Sequence, residues 1–132
     1  MEDRVILIID DNADDRAINT SVLVHYGYQV LTAPTAERGM AMAKSHRPNV
    51  VLLDMGLPDL DGVAVALRLK AEPETREIPI IAITAYYERY ADPGVRAVGC
   101  SAYLRKPMLP RDLAREVGRV LGDTPRQEIA LM

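Results

Sequence analysis

Five short apolar runs, four of them closing on a polar residue, set the tightest limit on how this chain can fold. "VILIID" (Val5 to Asp10), "YQVLTA" (Tyr28 to Ala33), "VVLLD" (Val50 to Asp54), "IPIIAIT" (Ile78 to Thr84) and "SAYLR" (Ser101 to Arg105) are rich in β-branched residues. Most are nearly continuous instead of alternating, the pattern of strands buried on both faces. Between them, apolar residues recur at helical spacing: Ile18, Val22 and Tyr26; Ala36, Met40 and Ala43; Val63, Ala66 and Leu67; and Leu113, Val117, Val120 and Leu121. Asp92 followed by Pro93 offers an N-cap and a first-turn proline, so a further helix is expected to start there, with Tyr86 to Ala91 as loop. Gly27, Pro48, Pro73, Gly99 and Gly122 mark helix stops.

Five strand–helix units predict an α/β fold, a doubly wound (βα)5 domain with a five-stranded, mostly parallel sheet and helices on both faces. Right-handed crossovers make the first and third strands neighbours across the point where the winding reverses. At 132 residues the chain suits one domain, burying roughly two-thirds of its unfolded surface. That domain is expected over residues 1–122, with 123–132 ("DTPRQEIALM" with its leading Asp123) as a tail or the start of a linker because no core pattern continues there.

The net charge of −3 argues against non-specific binding to nucleic acid or to an anionic membrane. One cysteine, Cys100, excludes an internal disulfide framework and suits a reducing compartment. The acidic N-terminus with its short apolar run is no signal peptide, and nothing is long enough to span a bilayer. A cytoplasmic location is the expectation.

In a parallel sheet all strands end at the same rim. Asp10 and Asp11 close the first strand, Asp54 the third and Thr84 the fourth, and Lys106 with Pro107 follows the fifth. Two carboxylates about 5 Å apart repel by roughly 3 kcal/mol at an effective dielectric of 20, so three of them call for a cation. Hard oxygen donors on a rim open to water suit Mg²⁺. With Lys106 alongside, such a site can accept an anionic phosphoryl group on a carboxylate nucleophile.

Strand-end "DD", "LLDMGLPDLDG", "ITA" and "AYLRKP", in this order and spacing, resemble the receiver domain of two-component response regulators, over Arg4 to about Gly122. The resemblance implies a flavodoxin-like sheet of order 2-1-3-4-5. It also implies that Asp54 is the phospho-acceptor, fed by a histidine kinase or a histidine phosphotransfer protein. Asp10, Asp11, Asp54 and the backbone carbonyl of Gly56 would hold Mg²⁺, Asp11 directly and Asp10 through water. Lys106 would pair with the phosphoryl oxygens and Thr84 would bond one of them. Tyr103 would be the aromatic switch that follows Thr84, and Lys106–Pro107 a cis bond. Gly56 and Tyr86 would tune the lifetime of the phosphate. The protein would catalyse its own phosphorylation and dephosphorylation without being a turnover enzyme. It would reach a downstream protein through the face made by the helix after Asp92, the fifth strand and the last helix, as a monomer or a phosphorylation-dependent dimer, alone or within a longer chain.

Other polar residues are assigned structural work. Asp14 and Asp15 favour the start of a helix, and Asp59 and Asp61 a turn and a helix N-cap. His25 and His46 lack metal-ligand spacing, and Cys100 is a small packed residue. Tyr86, Tyr87 and Tyr90 either cover a sheet edge or form a partner face. Three rival functions are weighed. An aspartate-nucleophile phosphohydrolase expects an acid where Gly56 stands. A nucleotide or flavin module would need a glycine-rich phosphate loop where "DDNADD" follows the first strand. A receiver-fold interaction module that is not phosphorylated has no need of the full set of acids, Thr84 and Lys106.

Overall fold

The computed structural model describes residues 4–85 and 98–123. Tyr86, Tyr87, Tyr90, the expected helix at Asp92 and Pro93, and the segment 124–132 lie outside the described residues. Five strands, β1 (Val5–Ile9), β2 (Gln29–Ala33), β3 (Val50–Asp54), β4 (Ile80–Thr84) and β5 (Ala102–Arg105), form one parallel sheet in the order β2-β1-β3-β4-β5. Four helices are described: α1 (Ala13–His25), α2 (Ala36–His46), α3 (Gly62–Ala71) and α4 (Pro110–Leu121). None is long and apolar enough to cross a membrane.

The near-continuous apolar runs are explained by the two cores they serve. Leu7, Ile9, Val51, Leu53, Ile80 and Ala82 pack on one face of the sheet against Ala36 and Ala43 of α2 and Val65, Ala66 and Leu69 of α3. The alternate residues Ile6, Ile8, Val50, Leu52, Ile81 and Ile83 pack on the other face against Leu23 of α1 and Leu113 and Val117 of α4. Successive side chains point to opposite faces of a strand, so a strand with a helix layer on each side has no polar face.

Two helical faces differ from expectation. Ile18 is 58% exposed, and α1 instead buries Asn19 and Leu23, with Val22 and Tyr26 alongside. Leu67 is 52% exposed, and α3 turns Gly62, Val65, Ala66 and Leu69 inward. In both helices apolar residues flank the buried stripe on each side, so the period alone fits two stripes one residue apart. On α1 the choice keeps Ile18 on the face of Asp15, one turn away, at the strand-end rim.

The helices start on caps that the local sequence supplies. The side chains of Asn12, Thr35 and Asp61 accept from the backbone N–H groups of Asp15, Arg38 and Val63. Asp59 serves a helix other than the one it precedes. Its carboxylate accepts from Ala36 N (3.0 Å) and Glu37 N (3.2 Å), which ties the loop after β3 to the start of α2. Those N–H groups, Ala36 foremost, hold its pKa below the usual value. At the other end of the sheet, Arg4 makes a two-pronged ion pair with Asp123 (3.0 and 3.2 Å), so packing continues one residue past Gly122.

Candidate functional site

β1 and β3 are paired with Ile9 opposite Leu53, so Asp10 and Asp54 emerge side by side at the carboxyl edge of the sheet. Asp10 is 4% and Asp54 9% exposed, whereas Asp11 turns to solvent. One oxygen from each of the three lies within 4.8 Å of the others. Two backbone N–H groups orient the buried pair: Asn12 N donates to Asp10 Oδ1 and Gly56 N to Asp54 Oδ1, both at 2.9 Å. The pairing of β4 with β5 sets Thr84 beside Arg105, and Lys106 N donates to the Thr84 carbonyl at 2.8 Å. The Lys106–Pro107 peptide is cis, and Thr84 is 2% exposed.

Lys106 Nζ donates to Asp15 Oδ2 at 2.9 Å, Asp10 Oδ2 at 3.1 Å and Asp54 Oδ2 at 3.3 Å. Burial by itself would lower the Lys106 pKa. The Asp15, Asp54 and Asp10 carboxylates outweigh burial and hold it well above the ordinary lysine value, so the ammonium stays charged. Asp10 shifts in the costly direction. Burial raises its pKa against the Asn12 N–H and Lys106, and the nearby Asp54 charge adds to the rise.

That direction fixes a sign. A carboxyl with a raised folded pKa binds its proton more tightly folded than unfolded, so at neutral pH its ionised form costs stability. The cost is relieved as pH falls through the folded pKa. Asp10→Asn keeps an acceptor for the Asn12 N–H and removes one charge from a crowd in which each close pair repels by roughly 3 kcal/mol. In chelator at neutral pH the variant is expected to be more stable than wild type by about 1 kcal/mol, with a steeper acid limb, because the stability that wild type regains on protonating Asp10 is gone. Urea melts across pH check this, and a less stable variant at neutral pH would contradict it.

Asp10, Asp11, Asp54, Thr84, Lys106 and Pro107 thus gather at one rim, with Gly56 alongside. Tyr103 is half-buried against the α2–α3 core. Burial raises the Cys100 thiol pKa, partly offset by a hydrogen bond with Tyr103, which fits a packed residue. Asp61 caps α3 as expected. Asp15 corrects the sequence reading: it does lie in the first turn of α1, but its carboxylate also makes the shortest ion pair to Lys106. No local signal separates it from Asp14, because the contact spans 91 positions of sequence.

The donor set fits a hard divalent cation. Asp10, Asp11 and Asp54 supply oxygens only, and the exposure of Asp11 leaves room for water, which Mg²⁺ retains. Four carboxylates stand against the Lys106 ammonium and the Arg16 guanidinium, which donates to the Asp10 carbonyl at 2.7 Å, so the rim remains negative. Beside Lys106 an open groove of about 380 Å³ is lined by Asp15, Ile18, Asn19, Ala85, Pro107 and Met108. A larger cavity of about 640 Å³ lies between α2 and α3, lined by Met40, Leu69 and Glu72 among others, and touches none of the rim residues.

Comparison with known proteins agrees with this fold. The family model of the response regulator receiver domain matches residues 6–118. The polar-differentiation response regulator DivK of Brucella anthropi is 30% identical over 118 residues, covering 89% of this chain and 96% of its own length. A putative response regulator from Chloroflexus aurantiacus superposes with a TM-score of 0.85 at 28% identity, over 92% of this chain and 99% of that one. The receiver domain of a Pseudomonas aeruginosa sensor histidine kinase, solved with a magnesium ion coordinated in its active-site cleft, gives a TM-score of 0.82 at 27% identity, over 92% and 100% of the two chains.

Proposed function

Because the chain belongs to the response regulator receiver family, whose members signal by phosphorylation, we propose that Asp54 is its phospho-acceptor and that a phosphohistidine on a kinase or phosphotransfer protein is the donor. The observation that carries this reading is the setting of Asp54. It is nearly buried, oriented by Gly56 N–H through one oxygen, and faces the Lys106 ammonium at 3.3 Å with the other.

In the proposed step a carboxylate oxygen of Asp54 attacks phosphorus and the phosphorus–nitrogen bond to the donor imidazole breaks. The bonding pair returns to the imidazole nitrogen, and an acyl phosphate forms on Asp54. Gly56 N–H fixes the carboxylate plane, and Lys106 meets the negative charge of the phosphoryl oxygens. Asp10, Asp11 and Asp54, with the Gly56 carbonyl, would hold Mg²⁺, which supplies charge neutralisation for the phosphoryl group. Self-catalysed hydrolysis would return Asp54 to its free state.

Thr84 and Tyr103 are the proposed relay. The bond from Lys106 N to the Thr84 carbonyl joins the ends of β4 and β5, so a shift at Thr84 biases the strand that carries Tyr103. The signal would leave through the side of β5 and α4 to a downstream protein. A kinase-fed switch of this kind belongs in the cytoplasm. The phosphohydrolase alternative is weakened by Gly56, which puts a backbone N–H where that chemistry expects an acid. A receiver fold that is never phosphorylated is the remaining alternative.

The test is uptake of phosphate from phosphoramidate and from autophosphorylated histidine kinases of the same cell. The expected result is one phosphoryl group per chain, labile to hydroxylamine, with uptake abolished when EDTA removes the divalent cation beforehand. No uptake from any kinase or from phosphoramidate would leave the interaction module standing.

A further inference from the structure

An ammonium has three N–H donors, and those of Lys106 are matched by three carboxylates: Asp10, Asp54 and Asp15. Two of these, Asp10 and Asp54, belong to the acid cluster suited to a cation, and Asp15 does not. Asp15 is also the most exposed of the three, with 38% of its side chain accessible against 5% for Asp10 and 11% for Asp54, and it makes the shortest bond. It stands on α1 and lines the same groove as Pro107 and Met108. Lys106 is therefore held from two sides, by the cluster that performs the proposed chemistry and by a carboxylate outside it.

A phosphoryl group on Asp54 brings new anionic acceptors to a lysine that has no N–H to spare. One existing bond must then be surrendered. A cation drawing on Asp10 and Asp54 weakens their hold on Lys106 but leaves the pull of Asp15 undiminished. Resting on the assignment of Asp54 as phospho-acceptor, we propose that Asp15 is a positioning residue that competes with the phosphoryl group for Lys106 and so limits how far the phosphorylated state is populated. Its negative charge also opposes an anionic group at the rim, but its specific action runs through Lys106.

Beryllofluoride, an anion that mimics a phosphoryl group on an aspartate, provides the probe, titrated in saturating Mg²⁺ against wild type, Asp15→Asn, Asp14→Asn, Lys106→Ala and the double variant Asp15→Asn with Lys106→Ala. Asp15→Asn is expected to bind about tenfold more tightly, the worth of one charge-assisted hydrogen bond released to the ligand. Asp14→Asn removes a charge from the same exposed helix turn and is expected to change binding by less than about twofold. In the Lys106→Ala background the gain from Asp15→Asn is expected to vanish, which a double-mutant cycle measures directly. Equal tightening in Asp14→Asn, or a gain that survives without Lys106, would reduce Asp15 to a general surface charge and overturn the proposal. Unchanged or weaker binding in Asp15→Asn would overturn it as well. Those failures leave Asp54 as acceptor untouched, whereas a wild-type chain that binds no beryllofluoride and takes up no phosphate would remove the functional reading itself.

Discussion

Asp54→Asn is expected to reduce phosphate uptake from phosphoramidate to background while leaving a chain at least as easy to fold. The amide is nearly the same shape, and its carbonyl can still accept the Gly56 N–H that now reaches Asp54 Oδ1 at 2.9 Å. What disappears is the nucleophile, because an amide oxygen is far less basic than a carboxylate and cannot leave an acyl phosphate behind. The stability change is a contest between two terms. Asp54 loses its attraction to Lys106, which keeps two other carboxylates. It also loses its repulsion with Asp10 and Asp11, roughly 3 kcal/mol for each close pair at an effective dielectric of 20. Repulsion involves two partners and attraction one, so without a cation the variant is expected to match or exceed wild-type stability in urea. Labelling on a phosphate-affinity gel separates the outcomes. Uptake at the wild-type rate in Asp54→Asn would move the acceptor to Asp10 or Asp11.

The rim was legible in the sequence because parallel pairing leaves little freedom at strand ends. Once five apolar runs are accepted as parallel strands, the residue after each one has to lie on the same edge. Asp10, Asp54, Thr84 and Lys106 needed no further information. The order of the strands was legible in part: right-handed crossovers make β1 and β3 neighbours, while the full order rested on the resemblance that the family match now supports. What escaped was set by tertiary contact with no local mark. Asp15 and Asp14 are equivalent as helix-start acids, and only the path of the chain after β5 decides which one meets Lys106. Asp59 sits in a turn-forming stretch, yet its oxygens cap α2, 22 and 23 positions away. Ile18 and Leu67 misled because a helical period identifies a stripe only to within one residue when both flanks are apolar.

Gly62→Ala is expected to be the most damaging conservative change near the site, and to harm stability and chemistry together. Gly62 opens α3 directly behind the loop that follows Asp54, and its N–H donates to the Met55 carbonyl at 3.1 Å. A Cβ at this position would come within 2.5 Å of Met55 Cα, 2.7 Å of its Sδ and 3.1 Å of its Cβ. The sulfur can swing away, but the Cα cannot, since Met55 is buried and its N–H is bonded to the Ile83 carbonyl at 2.9 Å. Alanine would favour the helix by about 1 kcal/mol over glycine, which is too little to offset a clash with backbone. The net cost is expected to be about 3 kcal/mol, or on the order of 10 °C in Tm for a chain of this size. Relief by moving Met55 also moves its neighbour Asp54, and a displacement of about 1 Å at a reacting group can lower its rate about 100-fold. Gly56→Ala is the control, because a Cβ there meets Asp54 Oδ1 at 3.6 Å, an ordinary contact, and its stability is expected within about 0.5 kcal/mol of wild type. Urea unfolding and the initial rate of phosphoramidate uptake check both variants. Wild-type stability in Gly62→Ala would mean that α3 can lift from β3 freely, and that the close approach of Gly62 to Met55 is not what holds Asp54 at the rim.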